Sequence, residues 1–133
     1  MAKSKKATPA KKAPRKLTTN QIAKKLVAYC RKGQYQECYQ ELYSPKVTSE
    51  EPITGMMRYV KGFKGIQKKG KAWGKQMVEM HDMSMSDPII AGDHFACTMM
   101  YDATFKGRGR EKMEEVCVYK VEDGKIISEQ FFY

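Results

Sequence analysis

The stretch from Arg110 to Tyr133 carries the pattern that most restricts the fold of this chain. Two runs of β-forming residues, Met113–Val121 and Ile126–Tyr133, flank Glu122-Asp123-Gly124-Lys125. An Asp-Gly pair between two such runs is typical of a β-hairpin. A three-residue loop, Glu122 to Gly124, would place Gly124 in the left-handed conformation that glycine tolerates. The sequence therefore predicts that the chain ends in two antiparallel strands.

The loop length decides which side chains share a face of this hairpin. With three loop residues, one face holds Met113, Glu115, Cys117, Tyr119, Ile127, Glu129, Phe131 and Tyr133. The other face holds Glu114, Val116, Val118, Lys120, Ile126, Ser128, Gln130 and Phe132. A two-residue loop would turn one strand over, because side chains alternate with a period of two. Both faces mix polar and apolar residues, so alternation alone leaves the inner face open.

The length of 133 residues suggests one domain, and its positive charge is concentrated at the start. Seven of the 25 Lys and Arg residues stand in the first 16 positions, where there is no acid: Lys3, Lys5, Lys6, Lys11, Lys12, Arg15 and Lys16. This segment is rich in Lys, Ala and Pro and lacks apolar periodicity, so residues 1–16 are predicted to be a disordered basic tail. We expect it either to bind nucleic acid or an acidic partner without sequence preference, or to act only as a solubilising tail.

The middle of the chain predicts three helices followed by strands. Apolar residues recur at helical spacing in Leu17–Lys32 and Gln34–Tyr43, and less regularly in Lys61–Met80, whose lysines are expected on a solvated face. Val47–Glu51 is predicted to be a short strand, and His81–Ala91 and Asp93–Phe105 a pair of long strands. Strands grouped after helices indicate an α+β domain of residues 17–133, with an antiparallel sheet around the helices.

Several local sequences resemble the nuclear transport factor 2-like superfamily and its SnoaL-like small proteins. They are Leu42-Tyr43-Ser44-Pro45-Lys46-Val47-Thr48, Ala91-Gly92-Asp93-His94-Phe95-Ala96, Val121-Glu122-Asp123-Gly124-Lys125-Ile126 and the terminal Phe131-Phe132-Tyr133. The resemblance covers residues 17–133. It implies a cystatin-like α+β cone, in which three N-terminal helices pack in a curved antiparallel sheet around an apolar cavity. In this superfamily the same cone serves enzymes, carriers and protein-binding modules.

The resemblance also implies which residues face the cavity, since the family's alternation turns the Glu115 and Glu129 face inward. The expected pocket residues are Trp73, Met77, Phe95, Cys97, Met99, Tyr101, Met113, Cys117, Tyr119, Phe131 and Tyr133, with Glu51 at the rim. Methionine and aromatic side chains would form an adaptable apolar wall. The expected ligand is an apolar small molecule.

The ketosteroid-isomerase branch of the superfamily allows its catalytic positions to be compared with the residues of this chain. That branch has a general-base Asp before a Pro at the end of the first strand, and Glu51-Pro52 stands there in this chain. Its oxyanion-hole Tyr and protonated Asp would fall near Val27 and Cys117, so neither donor is present. Steroid isomerase activity is therefore not expected. The two histidines, His81 and His94, lack the spacing of a metal site or a hydrolytic triad, and no cofactor is expected.

The candidate catalytic residues are Glu51, Glu115 and Glu129. Two carboxylates in an apolar cavity would raise the pKa of one of them, which suits a general acid or base. The alternative is that tyrosine hydroxyls hold one carboxylate as a structural element of the core. The sequence thus favours a small-molecule pocket protein, with proton-transfer activity of the isomerase, cyclase or hydrolase kind as one option.

The second function class is a non-catalytic dimeric interaction module tethered by its basic tail. Val116, Val118 and Phe132, with His94 and Met100, would lie on the outer sheet face and form a homodimer interface. No apolar run is long enough to span a bilayer, so no membrane contact is expected. Four cysteines without C-x-x-C spacing, and no secretory signal, favour a cytoplasmic location, with nucleoid or nuclear association through the tail as an option.

Overall fold

A computed structural model describes residues 15–133, so the predicted structure of the tail before residue 15 lies outside the described part. Three helices and seven strands follow one another along the chain. The helices are α1 (Thr19–Arg31), α2 (Tyr35–Leu42) and α3 (Gly62–Gln76). The strands are β1 (Tyr43–Glu50), β2 (Tyr59–Lys61), β3 (Met77–Met85), β4 (Ile89–Ala91), β5 (His94–Phe105), β6 (Gly109–Glu122) and β7 (Lys125–Phe132).

Helix α1 begins and ends with recognisable caps. The Thr18 hydroxyl accepts a hydrogen bond from the Gln21 backbone amide, and the Gln21 side chain accepts one from the Thr18 amide. This capping box satisfies two amides that the helix itself leaves unpaired. At the other end Gly33 takes a φ of 70°, the left-handed conformation that ends many helices. The predicted helix over Leu17–Lys32 is confirmed to within two residues.

Helix α3 is shorter than the sequence suggests. The predicted span Lys61–Met80 is wrong at its end, because Met77 and Met80 belong to β3. Met77 pairs with Phe105 of β5, and this long-range ladder overrides the local helical pattern. Strand β1 likewise begins at Tyr43 rather than Val47, and β2 is not predicted at all.

The sheet is curved and unclosed, with strand order β2-β1-β7-β6-β5-β3 and with β4 paired to the edge of β5. The sheet is antiparallel as predicted except in one place, where β1 pairs with β7 in parallel. All other pairs are antiparallel. The parallel pair joins the first strand to the last and brings Ser49 opposite Glu129.

The terminal hairpin forms, but its turn differs from the predicted one. Glu122 pairs with Lys125, so the loop has two residues, Asp123 and Gly124, with φ values of 54° and 72°. A β-bulge between Lys120 and Val121 shifts the register by one residue. Beyond the bulge, Cys117 pairs with Phe131 and Tyr119 with Glu129, so these four residues share a face as predicted. Between the turn and the bulge the predicted face is wrong. Ile126, expected on the face opposite Glu129, pairs with Val121 and is fully buried.

The core lies between α1, α2 and the concave side of the sheet. It includes Ile22, Leu26, Cys38, Leu42, Val47, Phe95, Cys117, Tyr119 and Ile126, all nearly or completely buried. Phe95 and Tyr119 stack with ring centroids 4.7 Å apart. Among the described residues, no helix is both long and apolar enough to cross a membrane.

Candidate functional site

Three carboxylates lie toward the concave side of the sheet, and they differ in their partners. Glu129, on β7, is 5% exposed and accepts hydrogen bonds from the hydroxyls of Tyr43 and Ser49, the latter at 2.6 Å. Burial raises the pKa of Glu129, while these two hydrogen bonds and the nearby Lys69 oppose the rise. A carboxylate held by two donors in the core is the arrangement expected of a structural group.

Lys69 is the member of this site that the sequence analysis missed. Its ammonium donates to the Ser49 hydroxyl and to Glu51 Oε2, the latter at 2.7 Å, and lies 5.1 Å from the centre of the Phe131 ring. Its side chain is only 13% exposed, so the prediction of a solvated lysine is wrong at this position. Lys69 follows the buried Ile66 by three residues, which is the helical spacing that could have revealed it.

Glu51 stands directly after β1 and joins the helix, the sheet and the C-terminal residue. It accepts from Lys69 through one oxygen and from the Tyr133 hydroxyl, 2.8 Å away, through the other. A Cβ atom at Gly55 would lie 2.6 Å from both the Glu51 Cβ and the Tyr133 hydroxyl, so this loop approaches the pair closely. The predicted rim acid is therefore held in place by two groups, one on α3 and one at Tyr133.

Glu115 is the third carboxylate and has weaker partners. Its Oε1 lies 3.5 Å from the Tyr101 hydroxyl and 3.6 Å from the Cys117 sulfur, at the limit of hydrogen bonding. No Lys, Arg or His nitrogen in residues 15–133 comes within 4.0 Å of it. Burial, and then the negative charge of Glu51, raise the pKa of Glu115 to about 7. This carboxyl can therefore gain or lose a proton near neutral pH.

Aromatic rings surround this part of the concave side. The centre of the Trp73 ring on α3 lies 5.4 Å from the centre of the Tyr101 ring and 5.9 Å from that of Phe105. Trp73 and Tyr101 are partly buried, and so is Glu115. The helix and β5 thus provide an aromatic wall beside a carboxyl that retains access to solvent.

The predicted pocket residues fall into two groups. Phe95, Cys97, Met99, Cys117 and Tyr119 are buried in the packed core, where they touch other side chains. Trp73, Met77, Tyr101, Met113 and Phe131 are partly buried, and Tyr133 is 50% exposed. The side chains on these strands alternate between the two sheet faces as expected, but only those of the second group have exposed surface that a ligand could contact.

A cavity of about 240 Å³ opens at the end of β1 and β7. It is lined by Glu50, Glu51, Pro52, Ile53, Arg58, Gln130, Phe131, Phe132 and Tyr133. Of these, only Glu51, Phe131 and Tyr133 belong to the predicted set. The loop between β1 and β2, which has no clear sequence signal, supplies Pro52, Ile53 and Arg58.

Of the remaining predicted groups, Cys117 touches this site through Glu115, and the others do not form part of it. Val27 and Cys117, which stand where a steroid isomerase would carry its donors, are both buried apolar core positions. His81 contacts Thr104 at 2.6 Å, and His94 is exposed beside Asp93. Within the described part of the chain, no three His, Cys, Asp or Glu side chains converge as a metal site would require.

The outer face carries part of the predicted interface residues. Val116 and Phe132 are register partners on β6 and β7 and are 42% and 48% exposed. Val118 and Met100 are partly buried. At the start of the described residues, Lys16 pairs with Asp123 of the hairpin turn at 2.9 Å, so this predicted tail residue contacts the domain.

Three helices in a curved sheet, with carboxylates on its concave side, define an α+β cone of the nuclear transport factor 2-like class. The SnoaL-like domain family matches residues 17–133, and the chain belongs to this family. The expected superfamily and fold are confirmed.

Solved structures agree with this assignment. A protein of Mesorhizobium loti, provisionally named a SnoaL-like polyketide cyclase, is 30% identical over 88% of this chain and 100% of its own, with a TM-score of 0.82. A nuclear transport factor 2-like protein of unknown function from Burkholderia pseudomallei has 14% identity and a TM-score of 0.71, covering 88% of this chain and 92% of its own. TerC, co-crystallised with polyporic acid, has 16% identity and a TM-score of 0.70, covering 87% and 92%. A comparison with curated protein sequences finds no significant match.

Proposed function

We propose that the concave side of the cone binds an apolar or aromatic small molecule with one polar end, and that Glu115 exchanges a proton with it. The observation that carries this proposal is the position of Glu115: partly buried, beside the Tyr101 hydroxyl at 3.5 Å, and without a cationic partner in residues 15–133. A carboxyl in such surroundings suits general acid–base chemistry near pH 7.

The three acids have different roles in this proposal. Glu129 is held by Tyr43 and Ser49, and Glu51 by Lys69 and Tyr133, so both are committed to hydrogen bonds. Glu129 thus acts as a structural group and Glu51 as a fixed negative charge that favours the protonated form of Glu115. Of the three predicted catalytic residues, we assign the proton transfer to Glu115.

The proposed reaction class is proton abstraction next to a carbonyl group. Glu115 would take the proton, and the Tyr101 hydroxyl would support the charge that develops. The name of the 30% identical Mesorhizobium loti protein, which refers to polyketide cyclases, supports polyketide-like carbonyl compounds as the ligand class. Polyporic acid, which was crystallised with the structurally similar TerC, provides an aromatic probe of this kind.

Calorimetric titration with polyporic acid and a panel of aromatic diketones tests the proposal. We expect a micromolar ligand whose binding is accompanied by proton uptake or release, and whose affinity falls at least tenfold in Glu115→Gln. Glu114→Gln is the matched control, because Glu114 is the adjacent, exposed residue on the same strand. Equal affinity of both variants and the wild type would contradict a role for Glu115, and the absence of any ligand from the panel would contradict the pocket.

A second candidate is a non-catalytic dimeric interaction module tethered by the basic tail. The exposed register pair Val116–Phe132 on the outer sheet face favours it. This candidate predicts that partner binding survives Glu115→Gln but is lost when the tail lysines Lys3, Lys5, Lys6, Lys11 and Lys12 are changed to glutamine. These two variants distinguish the interaction module from the pocket protein, because ligand binding in the pocket does not depend on the tail.

A further inference from the structure

Helix α3 presents a continuous row of lysines on the side opposite its buried residues. We name Lys61, Lys64, Lys68, Lys71 and Lys75 the α3 lysine stripe; all five are exposed. Lys61 is the last residue of β2 and directly precedes the helix. At about 100° per residue the other four side chains fall within an arc of roughly 60°, and they extend about 16 Å along the helix axis. Ile66, Lys69 and Trp73 occupy the opposite, inward side.

The stripe has no local charge compensation. The segment Gly62–Gln76 contains no Asp or Glu, and none of the five lysines forms an ion pair with a described residue. Like charges three and four residues apart repel one another and weaken a helix. Lys61 and Lys64 also stand at the helix N-terminus, where the backbone dipole is already positive. An anion along this face would remove both unfavourable terms.

The phosphate groups of a nucleic acid duplex fit this surface better than a bilayer or a protein partner does. A duplex carries one negative charge per roughly 1.7 Å of its axis, so a helical row of about 16 Å faces more phosphates than it has lysines. Ile66, the one buried apolar side chain of α3, packs into the core, which leaves little apolar surface to enter a bilayer. The stripe also lacks the Trp, Tyr and Arg residues that anchor protein interfaces.

We propose that the α3 lysine stripe binds the phosphate backbone of double-stranded DNA without sequence preference. Lysines act as point charges toward phosphate and do not read bases, so binding is electrostatic and depends strongly on salt. Phe63, 37% exposed, is the one exposed aromatic residue of α3, and at about 100° per residue it lies nearer to Ile66 than to the centre of the stripe, so a duplex rather than stacked single-stranded bases is the expected form. This surface lies on the folded domain and is independent of the tail and of the proposed pocket.

Fluorescence anisotropy with a labelled random-sequence 20-base-pair duplex tests the proposal on the full chain. Five lysines contacting phosphates predict a contribution of about −4.5 to the slope of log affinity against log salt concentration. The variant with all five stripe lysines changed to glutamine is expected to lose at least tenfold in affinity at 100 mM salt and most of that slope. The matched control changes Lys24, Lys32, Lys46, Lys106 and Lys112, five exposed lysines elsewhere, and should lose less than threefold.

Two further measurements make the outcome decisive. In the unmodified chain, the duplex should protect the stripe lysines from acetylation and leave the five control lysines reactive. A third variant with Lys3, Lys5, Lys6, Lys11 and Lys12 changed to glutamine measures the tail alone. Equal losses in the stripe and control variants, loss only in the tail variant, or absence of protection would overturn the proposal. Binding to phosphatidylserine vesicles or poly-glutamate in preference to the duplex would overturn it as well.

Discussion

The ammonium group of Lys69 lies 2.7 Å from Glu51, and both side chains are nearly buried, at 13% and 14% exposed. This ion pair connects α3 to the end of β1 and, through the Ser49 hydroxyl, to Glu129 on β7. The helix is thereby attached to the sheet by a polar network as well as by apolar contacts.

Lys69→Met should lower the free energy of unfolding by roughly 2–4 kcal/mol, because it leaves the Glu51 carboxylate buried without its cation. Urea unfolding at pH 7 measures the change. The matched control is Lys68→Met, an exposed neighbour, which should change the unfolding free energy by less than about 0.5 kcal/mol. Similar values for the two variants would show that the Lys69 pair does not contribute to stability.

The titration of Glu115 should appear in the pH dependence of stability. Its pKa in the folded state is raised to about 7, so the folded protein keeps a proton that the unfolded chain loses. The stability of the wild type should therefore fall as pH rises from about 4.5 to 7, by roughly 2–3 kcal/mol relative to Glu115→Gln. Glu114→Gln should follow the wild type. Parallel stability curves for wild type and Glu115→Gln would mean that Glu115 titrates normally.

Glu129→Gln should destabilise the protein by about 1–3 kcal/mol. A glutamine offers one acceptor oxygen where Tyr43 and Ser49 both donate, so one buried hydroxyl faces an amide donor. Tyr43→Phe removes one of those donors, and the double variant should recover part of the loss. Thermal unfolding of the two single variants and the double variant measures this coupling. A gain in stability for Glu129→Gln alone would contradict a structural role.

The homodimer predicted from the outer face depends on Val116 and Phe132. Val116→Lys or Phe132→Lys should convert a dimer to monomers, because a charge would be buried in the apolar centre of the interface. Sedimentation velocity at 5–200 μM, a range of about 40-fold, measures the oligomeric state. The range is wide because the fraction of dimer rises with protein concentration. Val78→Lys, on the edge strand β3 and also exposed, is the control. A monomeric wild type throughout this range would rule out the dimer.

The sequence by itself determined the fold class and much of the strand content. Alternation in β5 and the Asp123-Gly124 turn depend on neighbouring residues, so they could be recognised without a structure. The same holds for α1, whose capping residue Thr18 and terminal Gly33 are local signals. The inward direction of Glu129 was also predicted correctly, but that prediction needed the family resemblance to decide which hairpin face turns inward.

Tertiary structure alone decided the partners of each acid. The parallel pairing of β1 with β7 places Ser49 beside Glu129, although 80 residues separate them along the chain. Lys69 reaches Glu51 because α3 packs against β1, and Met77 leaves the helix because β5 offers it a strand partner. These contacts arise between segments distant in sequence. No local pattern encodes them, since the free energy of burial and pairing depends on the assembled sheet.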